Sequence, residues 1–297
     1  MRRMEKRGTK VYISADMEGV TGLVGADDVQ MGGRDYDRGR VMMTEDVNAA
    51  VRGALAGGAG EVVVNDTHST MRNLLVESLH PAASLVRGKP KPMGMLQDLD
   101  GSFDAVVCVG YHARAGALGV LSHSFMGHEI EDMWLGGVGD EPGDARAMGE
   151  IGFAYATATA IGVPVVALTG CDVACKEIEE WDTRVRAVPV KYARDRFAAR
   201  LRPAEEARAA IEAAVADGVR EAATPAVRPR LVPDTGEQVL AVRWQSASVA
   251  QQLEGIPGVS RLDDRTVRAQ GSLPVLFRLF GVFMGVAYSL TGQPPYC

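Results

Sequence analysis

Four short apolar runs constrain this chain more than anything else in it: residues 11–15, 61–65, 105–109 and 163–168. Each is rich in Val, Ile or Ala, too short for an ordinary helix, and bounded by polar residues, so each reads as a buried strand. Each also runs straight into residues that carry chemistry. Asp16 and Glu18 follow the first, Asp66 and His68 the second, His112 the third and Asp172 the fourth. Between the first two lies a helical pattern over residues 40–57. Val41, Met42, Val47, Val51 and Leu55 fall on one side, and Gly57-Gly58 stops it. Strand, helix, strand implies a right-handed parallel crossover. Open parallel sheets bind ligands beyond the carboxyl ends of their strands, so all these polar groups are expected on one ligand-binding edge. In VYISADMEG (11–19) the strand geometry, if it persists to residue 18, turns Asp16 and Glu18 to the same face. Two carboxylates so placed repel unless a positive group lies between them.

The remainder gives the organisation. Residues 20–39 are rich in Gly and Asp without periodicity and read as a long loop, while 74–79 fit neither period. Residues 148–161 form a small-residue helix pattern. Beyond Trp181 the character shifts. Residues 191–216 are rich in Arg and Ala, with Pro203 at a helix start, Glu205 and Glu206 in its first turn and Gly218 near its end. Residues 222–237, with Pro225, Pro229 and Pro233, read as a linker or edge; 239–244 and 266–269 read as short strands, and 273–290 as a closing helix. The expected architecture is a three-layer α/β/α domain with a mainly parallel sheet over residues 1–185. A smaller α+β domain over 186–297 completes it.

A net charge of −6 argues against general nucleic-acid binding, which needs a basic face for phosphates. The basic start MRRMEKRGTK is not followed by an apolar h-region before Asp16, and the apolar stretch 273–290 carries Arg278 and several Gly. Neither a secretory signal nor a membrane span is therefore expected, and the cytoplasm is the expected location. Cys108, Cys171, Cys175 and Cys297 are too few and too irregular for a disulfide framework. Cys171 and Cys175 read as small buried residues rather than zinc ligands. All five histidines lie between His68 and His128. His80 and His128 read as ordinary, whereas His68 and His112 sit at strand ends and His123 lies in the loop region beyond the third strand. Imidazoles with carboxylates form the usual ligand set for zinc, and a carboxylate able to bridge suits a metal pair. A hydrogen-bonded polar cleft without metal is the other reading of the same residues.

SADMEG (14–19), VVVNDTHS (62–69), LHP (79–81), GYHA (110–113), GVLSHS (119–124) and MGEIG (148–152) resemble, in order, the motifs of the DppA-type zinc D-aminopeptidases. The likeness continues more weakly through RPAEEAR (202–208), IPGVSRL (256–262) and Cys297. The resemblance implies two Zn2+ per chain, with Asp16 shared by both ions and Glu18, His68, His112 and Glu150 as the remaining ligands. It implies His123 as the catalytic nucleophile or general base. Taken alone, Glu150 is an acid near a helix start, explained by the helix dipole. It further implies a homo-oligomer, a decamer of stacked five-membered rings. Two departures stand out: a longer segment between His128 and Glu150, expected as an enlarged loop, and Phe153-Ala154 where the family often has Leu-Asn.

The expected activity is dinuclear zinc hydrolysis of an amide bond, releasing N-terminal D-amino acids such as D-Ala from short peptides or amides. One alternative keeps the two-metal chemistry and makes the chain a tailoring amidase or peptidase of a specialised biosynthetic pathway. Another makes it a non-catalytic metal- or peptide-binding protein.

Overall fold

The computed structural model describes residues 8–140, 144–223 and 236–291. The basic N-terminal residues 1–7, most of the proline-bearing stretch at 222–237 and Cys297 lie outside them.

The apolar runs form strands β1 (Thr9–Ala15), β2 (Ala59–Asp66), β4 (Ala105–Tyr111) and β7 (Val165–Cys171). With β3 (Ala83–Val86), β8 (Arg186–Asp195) and β9 (Ala198–Leu201) they make a seven-stranded sheet in the order β3-β2-β1-β4-β7-β8-β9. Every pairing is parallel except β8 with β9. β1 and β4 are wholly buried along most of their length, the composition of strands covered on both faces. Helices α2 (Tyr36–Ala56) and α5 (Ala204–Ala222) pack on each other against the sheet, while α3 (Glu150–Ile161) and α4 (Asp172–Trp181) pack together elsewhere on it.

Sheet order reverses between β1 and β4: successive strands spread outward in one direction through β2 and β3, and in the other through β7 and β8. This is the switch point at which loops diverge and leave a crevice. The loops after both strands approach closely there. Asp16 N–H donates to Val109 O (2.8 Å) and Gly19 N–H to Gly110 O (2.7 Å). A Cβ on Gly19 would lie 1.9 Å from Tyr111 O, and Gly110 has φ +73°, so both positions need glycine.

A second, antiparallel sheet runs β11-β12-β10-β5-β6, from β11 (Val259–Arg261), β12 (Thr266–Gly271), β10 (Gln238–Trp244), β5 (Ile130–Gly137) and β6 (Arg146–Ala147). Two expectations change here. The segment beyond His128 is no enlarged loop: Ile130, Met133 and Leu135 are buried in β5, which pairs with β10 and β6. The boundary at 185/186 also cuts through the seven-stranded sheet, because β8, β9 and α5 belong to it. The second sheet takes strands from both sides of that boundary. Residues 20–39 likewise hold a short helix, α1 (Ala26–Val29), and the start of α2.

Helix α6 (Ala247–Leu253) and the apolar helix α7 (Leu273–Thr291) cover the second sheet, and α7 also packs on α3. By length and composition α7 could cross a membrane. One face is instead buried through Leu276, Phe277, Phe280 and Phe283, leaving Val275, Val282, Tyr288 and Leu290 exposed. Phe280 meets Phe125 edge-on at 4.6 Å and Phe153 at 5.6 Å, tying α7 to the loop after β4 and to α3. Phe280→Ala removes that tie and leaves a cavity, at an expected cost of about 3–5 kcal/mol. Urea unfolding monitored by circular dichroism measures it.

Candidate metal centre

Asp16 follows β1 directly and Glu18 lies one turn further, so the strand does not persist to residue 18. The two acids still converge, because the chain beyond β1 is clamped. Lys191 of β8, fully buried, donates through Nζ to Glu18 O (2.5 Å), Val20 O (2.9 Å) and Leu23 O (2.6 Å). Burial lowers the pKa of this ammonium to about 8. No sequence pattern marks it, since a lone lysine in a strand is ordinarily solvated.

His68 lies in the loop after β2. There Thr67 N–H donates to Ala15 O (2.8 Å), and Asp66 accepts from the backbone N–H groups of Asn73 (2.6 Å) and Leu74 (2.8 Å). His112 follows β4 at once. His123 sits in a loop folded back on it, with His123 N–H donating to Ala113 O (3.2 Å). Glu150 is the first residue of α3, and its Oε1 accepts from Phe125 N–H (2.7 Å).

All six side chains meet, and each is at most 2% exposed. His68 Nδ1 lies 3.0 Å from Glu18 Oε2 and 3.4 Å from Asp16 Oδ1. His112 Nε2 lies 3.5 Å from Asp16 Oδ2 and 3.2 Å from Glu150 Oε1. The two oxygens of Asp16 therefore face different histidines. His123 stacks on His112, ring centroids 4.1 Å apart, with Nε2 at 4.0 Å from Glu150 Oε1.

The imidazoles share one arrangement. His68 Nε2–H donates to Val29 O (2.8 Å), His112 Nδ1–H to Ala113 O (3.1 Å) and His123 Nδ1–H to Leu121 O (2.8 Å). Each ring thus holds one nitrogen on a backbone carbonyl and turns the other, a lone pair in that tautomer, towards the carboxylates. Histidine ligands of metals are oriented in this way.

The electrostatics point the same way. Burial pushes the Asp16 carboxyl up, but the His68 imidazole 3.4 Å away and the charge of His112 hold it below its ordinary value. Burial leaves Glu18 raised. Burial lowers the basicity of His68 and His112, yet Glu18 and Glu150 respectively more than reverse this, taking His68 well above its usual value and His112 to about 10. His123 is driven well below its usual value by burial and by the neighbouring His112. The carboxylates thus demand positive charge, which protons on His68 and His112 supply and which a cation would supply in their place. Both oxygens of Asp16 and Oε1 of Glu18 are buried without a hydrogen bond. Asp16, Glu18 and His112 offer ligand atoms within 4.8 Å of one another, as do His112, His123 and Glu150. The donor set fits a metal pair.

Two other strand-end acids stay apart. Asp66 is occupied by its own loop, and Asp172 Oδ1 accepts from Ala193 N–H (2.7 Å), pinning α4 to β8. Glu177 of α4 was not singled out by sequence. It is buried and accepts from Arg114 N–H (2.8 Å), holding the segment after His112. Cys171 and Cys175 are buried at the start of α4, away from the cluster's ligand sets. A cavity of ≈ 450 Å³ opens on His123 and a smaller apolar one of ≈ 150 Å³ on Glu150.

Comparison with known proteins identifies relatives of the whole chain. Residues 9–281 match the Peptidase M55 family, described as D-aminopeptidase. A D-aminopeptidase of Bacillus subtilis (strain 168) is 38% identical over 250 residues, 84% of this chain and 86% of that protein. The solved structure of the Zn-dependent D-aminopeptidase DppA from Bacillus subtilis, a self-compartmentalizing protease, aligns with a TM-score of 0.85 and 33% identity. The alignment covers 94% of this chain and 98% of that one. With fold and sequence in agreement over nearly its whole described length, the chain belongs to the Peptidase M55 family of D-aminopeptidases.

Proposed function

We propose that this chain is a zinc-dependent aminopeptidase that holds two Zn2+ and releases N-terminal D-amino acids, D-Ala-like, from short peptides or amides. The reading is carried by three imidazoles turned, each with one nitrogen anchored on a backbone carbonyl, towards three buried carboxylates. Asp16, Glu18, His68, His112 and Glu150 would hold the ions, and Asp16 would be the ligand they share, because its oxygens face His68 and His112 separately. Zinc held there would polarise the scissile carbonyl and bring the pKa of the attacking water to about 7.

The chain's own residues do the rest. The buried crevice excludes bulk water from the scissile bond and strengthens the electrostatic interactions made there. His123 presents Nε2 towards the cluster with Nδ1–H held by Leu121 O, so it can take the proton of the attacking water and return it to the leaving amine. The apolar wall of Phe125, Phe277 and Phe280 beside Glu150 gives the N-terminal side chain a pocket. The cytoplasm is the proposed setting, consistent with the buried free thiols of Cys108, Cys171 and Cys175. A homo-oligomer, specifically a decamer, is proposed with it, since the exposed apolar residues of α7 need a partner surface.

Three outcomes are expected. Metal analysis of Asp16→Ala finds both ions lost, whereas Glu18→Ala loses one; retention of two ions by Asp16→Ala refutes the bridge. His123→Ala keeps its zinc but loses about 10²–10⁴-fold in kcat on D-alanyl substrates, the range for removing an acid–base group. Size-exclusion chromatography with light scattering returns about ten times the 31.6 kDa chain mass if rings of five stack in pairs.

A further inference from the structure

A free peptide ends in a carboxylate, and a cation lining the crevice would hold that end. The cavity of ≈ 450 Å³ on the His123 side supplies one, with Ser122, His128, Glu131, Arg196 and Gln245 in its lining. Arg196 lies in the turn between β8 and β9, and one bond ties its backbone to the proposed catalytic loop, where a second links the same residue, Leu121, to His123. Leu121 N–H donates to Arg196 O (2.7 Å), and Leu121 O accepts from His123 Nδ1–H (2.8 Å).

The Arg196 guanidinium has no carboxylate partner among the described residues. Its Nε is buried without a hydrogen bond, and the group rests 5.4 Å from the Phe197 ring. Glu131, the carboxylate in the same lining, is already engaged by Arg243 (3.1 Å) and Arg265 (2.6 Å). Arg196 as a whole is half-buried, so its guanidinium reaches the cavity, and an Nε–H left without an acceptor is costly unless water or a ligand satisfies it. The cavity on the Glu150 side offers a weaker alternative. The Lys91 ammonium there donates to Asn65 Oδ1 (2.6 Å), Asp66 O (2.6 Å) and Val86 O (3.2 Å), which uses all three of its protons.

We infer that Arg196 binds the C-terminal carboxylate of the substrate and makes the enzyme prefer free di- and tripeptides to amides. The inference rests on the aminopeptidase reading. There His123 returns a proton to the leaving amine, so the leaving residue lies in the His123 cavity and its carboxylate faces the guanidinium. Substrate orientation then follows from both ends: the N-terminal amine at the metal centre, the carboxylate on Arg196. Planar guanidinium suits this role better than an ammonium, because it can donate two parallel hydrogen bonds to one carboxylate.

The test uses the full-length, zinc-loaded enzyme, D-Ala-D-Ala and its C-terminal amide, with Arg196→Gln and Arg196→Lys. Loss of one charge-assisted contact raises KM for the free dipeptide about 10–100-fold in Arg196→Gln. The amide has no carboxylate charge to lose and shows the smaller change, and Arg196→Lys recovers part of the loss. Parallel losses on both substrates, or no change on either, overturn the assignment. Calorimetric binding of D-Ala-D-Ala separates this failure from that of the wider reading. Wild-type binding that disappears in Arg196→Gln, without cleavage of either compound, sustains Arg196 and refutes the peptidase.

Discussion

Three carboxylates buried in one crevice are the constraint on which the rest of this structure depends. Asp16, Glu18 and Glu150 come from two strand-and-helix units far apart in the chain, yet each is at most 2% exposed. Ionised groups are not removed from water without compensation of several kcal/mol each. The fold supplies part of it through His68 and His112 and leaves the rest to cations. The elements around the crevice are arranged to keep the acids in place despite their repulsion. Lys191 ties down the carbonyls beyond β1, Asp66 shapes the loop of His68, and Glu177 holds the segment after His112. The buried charges of these three residues serve geometry rather than reaction.

The site occupies the switch point of the sheet, and this placement determines what it can reach. Loops leave β1 and β4 in different directions, so the acids of the first and His112 of the second share a floor while the walls come from elsewhere. One wall is apolar, built by α7 and the Phe125 loop; the other is polar, built by the His123 loop and the β8–β9 turn. A cleft with one apolar and one polar wall can distinguish the two ends of a small peptide. Fold class alone would not provide that discrimination.

Much of this was legible in the residues. Buried parallel strands announce themselves as unbroken β-branched runs, so β1, β2, β4 and β7, with the polar groups at their ends, could be read directly. The convergence of Asp16, Glu18, His68 and His112 followed from the rule that such sheets bind at one edge. Glu150 could not be found that way, because an acid at a helix start has a local explanation, and family motifs supplied it. Lys191 and Arg196 escaped both routes. Each works through a carbonyl or cavity contributed by residues far away in sequence, and no periodicity encodes such a partner. The domain boundary failed for a related reason. Alternation in β5 is masked by Glu131, Asp132 and two glycines, and the assignment of β8 to the first sheet depends on a neighbour, β7, that local pattern does not name.

The excursion of β5 into the second sheet bears on how the protein is made. β5 lies between His123 and Glu150, but its longest pairing is with β10, residues 238–244, which leave the ribosome only after the entire first sheet has been synthesised. Contacts of such separation close late. His123 and Glu150 therefore sit on either side of a segment whose anchorage waits for the C-terminal third of the chain. A chain that stops short of residue 238 lacks the longest partner of β5 and leaves the segment joining His123 to Glu150 without that anchorage.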